Sequence, residues 1–369
     1  MNCLFSLILR NNQRLSSYFI IWFFKTNLLR IKFTVKDHYT VWVAESFSCQ
    51  KDIILALKNS SLASHLHIIC SHNLLRPELQ HIADLFVHQP RIEEAADWLL
   101  EQCIQHKVDL LFCGKRAQYI EPYREQFEQH NIQLITGAMS LNELDSIDDK
   151  FVFTEKCKKL GLPYIDAIKA DSIDTLKSAI AQAKQQFGEI CAKPVHGVYG
   201  AGFVRLKDDI DYFQHFKAPF LANTQQFIEA YAQLDQPTAY LIMPYLNGEE
   251  CSVDIACDQG TILAQVTRIK YQFHQECFLQ HPCHEICTQL VQHFNCDGLI
   301  NIQFKKDQQQ QWHILEINAR PAGGFAYTLH TGVNLVAELF AQKLNLNLQR
   351  ETTISPVKVL PLVQSFKMD

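Results

Sequence analysis

Leu299-Ile300-Asn301-Ile302-Gln303-Phe304 and Trp312-His313-Ile314-Leu315-Glu316-Ile317-Asn318-Ala319-Arg320 are two largely apolar runs joined by a polar tip, Gln308 to Gln311, and they read as a β-hairpin. Side chains alternate faces along a strand, so Glu316 and Asn318 point the same way. With residues 308–311 as the loop, Gln303 lies directly opposite Glu316. One face of the hairpin then gathers a carboxylate and two amide oxygens, the hard donors that Mg²⁺ prefers. Arg320 reaches the same place and has the charge to neutralise a transferring phosphoryl group. An ordinary strand end with an exposed Glu and an Asn turn would use the same residues, so the reading needs support from elsewhere in the chain.

Upstream, the run Lys193-Pro194-Val195-His196-Gly197-Val198-Tyr199-Gly200-Ala201-Gly202 follows a strand candidate, Ile190 to Lys193, and leads into another, Ala201 to Leu206. Its glycines let the backbone approach phosphate oxygens closely and take up positive φ. Lys193 adds a point charge at the strand end. The Walker spacing is absent, so a P-loop is not indicated. Between these signals, Tyr240-Leu241-Ile242-Met243-Pro244-Tyr245-Leu246-Asn247-Gly248-Glu249-Glu250 is a strand broken at Pro244 and Gly248 before it resumes. Such a break exposes backbone groups to a purine edge and sets an acid just beyond it.

The surrounding pattern has two halves. Strands at Tyr39 to Val43, Leu66 to Cys70, Val108 to Cys113 and Ile132 to Ile135 alternate with helical stretches. One helix is expected over Gln50 to Lys58, and another opens at Pro90 with Ile92, Leu99 and Cys103 on its apolar face. This predicts a parallel, Rossmann-like sheet covered on both faces. No G-x-G-x-x-G follows any of its strands, so a dinucleotide is not expected. A second unit begins near Asn142, with helices over Phe151 to Leu160 and from Ser172 to Phe187, the latter capped by Ser172. From Ala239 onward the chain reads as antiparallel hairpins, Ala239 to Met243, Glu250 to Cys257 and Thr261 to Lys270, with one helix from Pro282 to Phe294 before the final pair.

Taken in order, Lys150 after Asp148-Asp149, Lys193-Pro194 with its glycine loop, the break before Glu250, and Gln303…Glu316-Ile317-Asn318-Ala319-Arg320 resemble the ATP-grasp superfamily. The tail Asn318-Ala319-Arg320-Pro321-Ala322-Gly323-Gly324 resembles its carbamoyl-phosphate-synthase-type and amino-acid-ligase-type branch. The resemblance implies an α/β and α+β architecture: a Rossmann-like pre-ATP-grasp domain over 37–141, then an ATP-grasp domain over 142–345. Within the latter a lid covers about 165–240 and a metal-bearing part about 241–345, followed by a tail, 346–369.

By resemblance, Lys150 and Lys193 bind phosphates, Gly197, Gly200 and Gly202 line the lid loop, Met243 and Leu246 offer backbone bonds to adenine, and Glu250 takes the ribose. Gln303, Glu316 and Asn318 would hold Mg²⁺, with Mn²⁺ able to substitute, and Arg320 would stabilise an acyl-phosphate. The implied reaction is ATP-dependent activation of a small carboxylate for attack by an amine or similar nucleophile. Arg268, Gly323 and Gly324 are expected near the acceptor, beside Glu45-Ser46 and Lys115-Arg116. Met243 stands where many members have an acid, and Gln303 replaces a common carboxylate. The rival reading is a regulatory ATP-binding protein that kept the fold without turnover.

Composition fits a globular protein, with 47% hydrophobic and 20% charged residues in 369. A net charge of −5 without a basic run argues against nucleic acid as partner. The thirteen cysteines are scattered without a C-x-x-C and read as reduced thiols of a cytoplasmic protein. His281-Pro282-Cys283-His284-Glu285-Ile286-Cys287 has the look of a soft-metal cluster. A helix begun at Pro282 instead places Cys283, Cys287, Leu290, Val291 and Phe294 on one apolar face, and zinc would need two further ligands. Residues 1–36 hold Arg10, Arg14, Lys25, Arg30, Lys32 and Lys36, no acid, and an apolar run from Tyr18 to Phe24. That run is too short to span a bilayer; a signal peptide or an interfacial helix would use the same residues, but no small-residue cleavage site is visible and the run is not cleanly amphipathic, so the segment reads as an extension from an upstream start codon or as disordered chain. Integral membrane association is not expected; assembly as a homo-oligomer is left open.

Overall fold

The computed structural model describes residues 36–362 except Val198 and Tyr199, together with Ser365 and Lys367. Apart from Lys36, the expected N-terminal extension lies outside the described residues, as does Tyr199 of the lid loop.

Five parallel strands open the fold: β1 (Tyr39–Val43), β2 (Leu66–His72), β3 (Leu85–His88), β4 (Leu110–Phe112) and β5 (Gln133–Ile135), in the order β3-β2-β1-β4-β5. Alternate residues face opposite layers. Val41, Val43, Ile68 and Phe112 pack in one apolar core with Ile53 and Leu57 of the helix Gln50–Lys58. Trp42, Ile69, Leu111 and Leu134 pack in another with Leu99 and Cys103 of the helix Ala96–Gln105. The Pro90 helix thus enters through a short 3₁₀ turn, Ile92–Glu94. Strand β3 has no counterpart in the sequence reading. It is a four-residue edge strand whose residues stay partly exposed, so it lacks a buried apolar run.

A short strand, β6 (Gly137–Ala138), leads to the second unit. There β7 (Ile168–Ala170), β8 (Ile190–Pro194), β9 (Val204–Lys207), β10 (Leu221–Asn223) and β11 (Tyr240–Pro244) form a small sheet ordered β10-β9-β8-β11-β7. The helix Ile173–Phe187, with a Ser172 capping box, covers one of its faces through Leu176, Ile180 and Ala183. The other face carries Cys191, Leu241 and Met243 toward the large sheet.

That sheet has seven strands: β6, β12 (Glu250–Asp258), β13 (Thr261–Lys270), β14 (Gln275–Phe278), β15 (Cys296–Lys306), β16 (Trp312–Asn318) and β17 (Val357–Val359). The order is β16-β15-β12-β13-β14-β17, with β6 beside β15. The helix expected from Pro282 begins only at His284, because Pro282 and Cys283 form a turn ahead of it. Helix Leu335–Leu344 buries Val336, Phe340 and Leu344 in the same core as β1 and β2, and that core also holds Ala256, Val266 and Leu299 of the large sheet. The first sheet therefore shares its hydrophobic interior with the last. Among the described residues no helix is long and apolar enough to cross a membrane, and every cysteine is a free, buried thiol.

Candidate active site

The cleft lies between the small sheet and the large one, and alternation along three strands fills it. On β8 Cys191 and Lys193 share the face opposite Ala192, and Val195 just past the strand continues it. On β15 and β16, Gln303 pairs with Glu316 and Asn301 with Asn318. A bulge at Gln303/Phe304 passes over Leu315, so Leu315 joins the apolar lining while Glu316 beside it also reaches the cleft.

Lys193 Nζ donates to Glu316 Oε2 at 2.6 Å. Asn318 Nδ2 donates to Glu316 Oε1 at 3.2 Å, and Arg320 Nη2 donates to Asn318 Oδ1 at 3.2 Å. Lys150 opens the helix Lys150–Lys159, whose first turn is capped by Asp149, and its Nζ donates to the Gly197 carbonyl at 2.9 Å. Lys193 thus meets the acid of the hairpin directly, while Lys150 holds the backbone of the glycine loop beside it. Burial raises the Glu316 pKa, but the ammonium groups of Lys193 and Lys150 outweigh it and hold the carboxyl below its ordinary range. Burial also lowers the Lys150 pKa; Lys193 and Arg320 push the same way, and Glu316 and Asp148 oppose them.

The lid loop needs its glycines. Gly202 has φ +77°, and a Cβ there would meet Pro194 Cγ at 2.7 Å; Gly197 and Gly200 also have positive φ. In the loop, His196 Nδ1 lies 3.0 Å from an Asp148 carboxylate oxygen.

A cavity of about 590 Å³ runs from Met243, Tyr245 and Leu246 past Gly200 to Glu316, Asn318 and Arg320. The guanidinium of Arg205 stacks over Tyr245 at 4.2 Å. Cys191 Sγ donates to the Met243 and Pro244 carbonyls, both at 3.7 Å. Glu250 stands half-exposed at the cavity edge, 3.1 Å from Lys305. A smaller cavity, about 90 Å³, lies on the side of the first domain between Lys150, Arg116 and Thr136, and shares Glu316, Asn318 and Arg320 with the larger one.

The residues expected at the acceptor separate. Gly323 lines the large cavity. Arg268 is buried and committed to Asp254 at 2.5 Å and to Gln275 at 2.7 Å, and a Cβ on Gly324 would meet its Nη1 at 2.8 Å. Glu45 is buried and ion-paired to Lys115, with His72 at 3.6 Å, at the carboxyl ends of the parallel strands.

Asn301 escaped the sequence reading. Its Nδ2 donates to Asp254 at 2.9 Å, while its Oδ1 is buried without a hydrogen-bond partner. Its place two residues before Gln303, opposite Asn318, was the available signal. An orphaned amide oxygen beside the Glu316 carboxylate and the oxygens of Gln303 and Asn318 suits a hard, oxygen-loving cation.

Residues 236–364 match the family described as "ATP-grasp in the biosynthetic pathway with Ter operon". Among solved structures, the ADP complex of N5-carboxyaminoimidazole ribonucleotide synthetase is 16% identical, with TM-score 0.62, over 88% of this chain and 81% of that one. The fold is the ATP-grasp fold. Two other solved structures are also similar. The biotin carboxylase domain of Hydrogenobacter thermophilus 2-oxoglutarate carboxylase, in complex with magnesium ADP and bicarbonate, is 15% identical, with TM-score 0.58, over 85% of this chain and 71% of that one. The L-amino acid ligase of Bacillus licheniformis is 13% identical, with TM-score 0.60, over 87% and 75%. No protein of curated function matches in sequence. The small sheet and the seven-stranded sheet enclose the cleft, and the parallel α/β domain precedes them.

Proposed function

We propose that the chain is an ATP-dependent ligase that activates a small carboxylate as an acyl-phosphate for attack by an amine or similar nucleophile. The observation that carries this is the alternating chain Lys193–Glu316–Asn318–Arg320 on the cleft floor, faced by Lys150. Its support outside this molecule is that structures of like fold hold ADP, in one case as magnesium ADP with bicarbonate.

In this reading Lys150 and Lys193 bind phosphates and the loop of Gly197, Gly200 and Gly202 closes over them. Met243 and Leu246 present backbone groups to adenine on an apolar shelf, and Glu250 takes the ribose. Gln303, Glu316 and Asn318, joined by Asn301, would hold Mg²⁺ or Mn²⁺, which when bound screens phosphate charge. Arg320 lies where the two cavities adjoin, and there it orients the acceptor carboxylate and balances charge on the transferring phosphoryl group. The carboxylate oxygen forms a bond to the γ-phosphorus as ADP leaves. The amine nitrogen then attacks the acyl carbon, expelling phosphate and losing a proton. Positioning and charge do the catalysis, so no nucleophilic side chain is required. The acceptor would enter from the Arg116 side, near Gly323, while Arg268 holds the floor through Asp254. A cytoplasmic setting suits the reduced thiols.

ADP release measured over a panel of amino acids and small carboxylates tests the assignment. We expect acceptor-stimulated release in the wild type and a loss of about 10²–10³-fold in Glu316→Ala. Nucleotide binding with no acceptor-stimulated release would favour the regulatory reading. Unchanged turnover in Glu316→Ala would overturn the placement of the metal.

A further inference from the structure

The His281-Pro282-Cys283 segment has no part in the cleft. Its Cys283 occupies the N-cap position of the helix His284–His293, yet its sulfur caps no backbone group. Facing it is Cys251, the second residue of β12. Alternation turns Cys251, Val253 and Ile255 into the apolar cluster that also holds Cys287 and Phe304, on the face of the sheet away from Asp254 and Gln303. One ring nitrogen of His281 and the sulfurs of Cys251 and Cys283 all lie within 4.8 Å of one another. The Cys283 backbone N–H donates to His281 Nδ1 at 3.3 Å, which holds the ring against the start of the helix. Both cysteines are almost wholly buried, and the half-buried His281 ring stands edge-on to Trp312 at 5.1 Å.

We propose that Cys251, His281 and Cys283 form a zinc site, with two thiolates and one imidazole as ligands and a fourth position taken by water. The sequence around His281 supplied only part of this set; the strand supplies the missing sulfur. Tetrahedral zinc with bonds of about 2.3 Å to sulfur and about 2.0–2.1 Å to nitrogen brings ligand atoms to roughly 3.5–3.8 Å of one another. The ligand atoms, within 4.8 Å of one another, close to that spacing when the ion draws them in. Binding releases two thiol protons, and the paired thiolates neutralise the cation, so the buried site carries no net charge. The amino end of the helix further favours a thiolate at Cys283. Packing alone accounts for a thiol such as Cys287, one helical turn on, but not for two sulfurs and an imidazole nitrogen gathered within 4.8 Å of one another. His284 is not among the gathered atoms; its Nε2 lies 2.8 Å from Thr267 Oγ1 on β13. The site would tie the start of β12 to the helix behind it, just after the break at Pro244–Gly248. It lies across the sheet from the nucleotide cleft and does not depend on the ligase reading.

The full-length protein, reduced and freed of metal, is titrated with Zn²⁺ against a chromophoric chelator and, separately, with Co²⁺. One zinc per chain is expected, together with a thiolate-to-cobalt charge-transfer band and tetrahedral visible absorption. Cys283→Ser and Cys251→Ser should each weaken zinc binding by more than about 100-fold, whereas Cys287→Ser should keep it. His281 is at the edge of the core, so His281→Ala provides a variant with less risk to folding; it should also lose affinity. Equal zinc affinity in wild type and His281→Ala, or a cobalt complex without the sulfur band, would overturn the proposal.

Discussion

The two faces of the seven-stranded sheet are made by neighbouring residues of the same strands, yet they differ in almost every physical respect. Toward the cleft, β12, β15 and β16 present Asp254, Asn301, Gln303, Glu316 and Asn318, with opposed charges in contact and one buried amide oxygen left without a partner. Toward the helix His284–His293 they present Val253, Ile255, Ile302, Phe304 and Ile317, all buried in one apolar cluster. A globular interior satisfies its polar groups and fills its voids. The face that does neither is the one available for ligands.

Substitutions on the two faces should therefore separate stability from nucleotide handling. The largest stability effect is expected from Phe304→Ala, at about 3–5 kcal/mol in urea unfolding, with ATP affinity of the folded fraction unchanged. A folded Phe304→Ala protein unable to bind ATP would show that the faces are not independent. A smaller effect is set by pH. The folded-state pKa of Glu316 is depressed, so its contribution to stability is complete above the unfolded carboxyl range, about 4.3, and is lost as pH falls through the lower folded value. Unfolding free energies of wild type and Glu316→Gln should accordingly converge as pH drops below about 4.3; a gap that widens there would reverse the sign. Smallest is Lys305→Ala, which breaks the exposed contact to Glu250 at the cavity edge. It should cost at most about 1 kcal/mol, and a shift in ATP affinity larger than its stability change would give Lys305 a direct role at the cleft.

The same contrast explains what could be read from the sequence. The pairing of Gln303 with Glu316 follows from a polar tip and two alternating runs, all local signals. The parallel sheet and the helix Ile173–Phe187 follow likewise from period and capping. Strands β3, β10, β14 and β17 are three or four residues long, too short to show a period, and they form through pairing with strands already in place. The short helices Tyr212–Lys217 and Thr224–Tyr231 also went unread. Arg268 looked like a ligand group until its partner Asp254 was seen one strand away. Asn301 and Cys251 show the same limit: each acquires meaning only when a distant residue is brought against it.

The 2.6 Å contact of Lys193 with Glu316 bears on how a nucleotide would come and go. Triphosphate arriving alone would draw the lysine off and strand the carboxylate; a dication arriving alone would do the reverse. Arrival together would exchange one matched pair of charges for another, so the proposed function has metal and nucleotide enter as a single complex. In the same proposal lysine and acid would rejoin on departure, and the recovered contact would lower the cost of emptying the cleft.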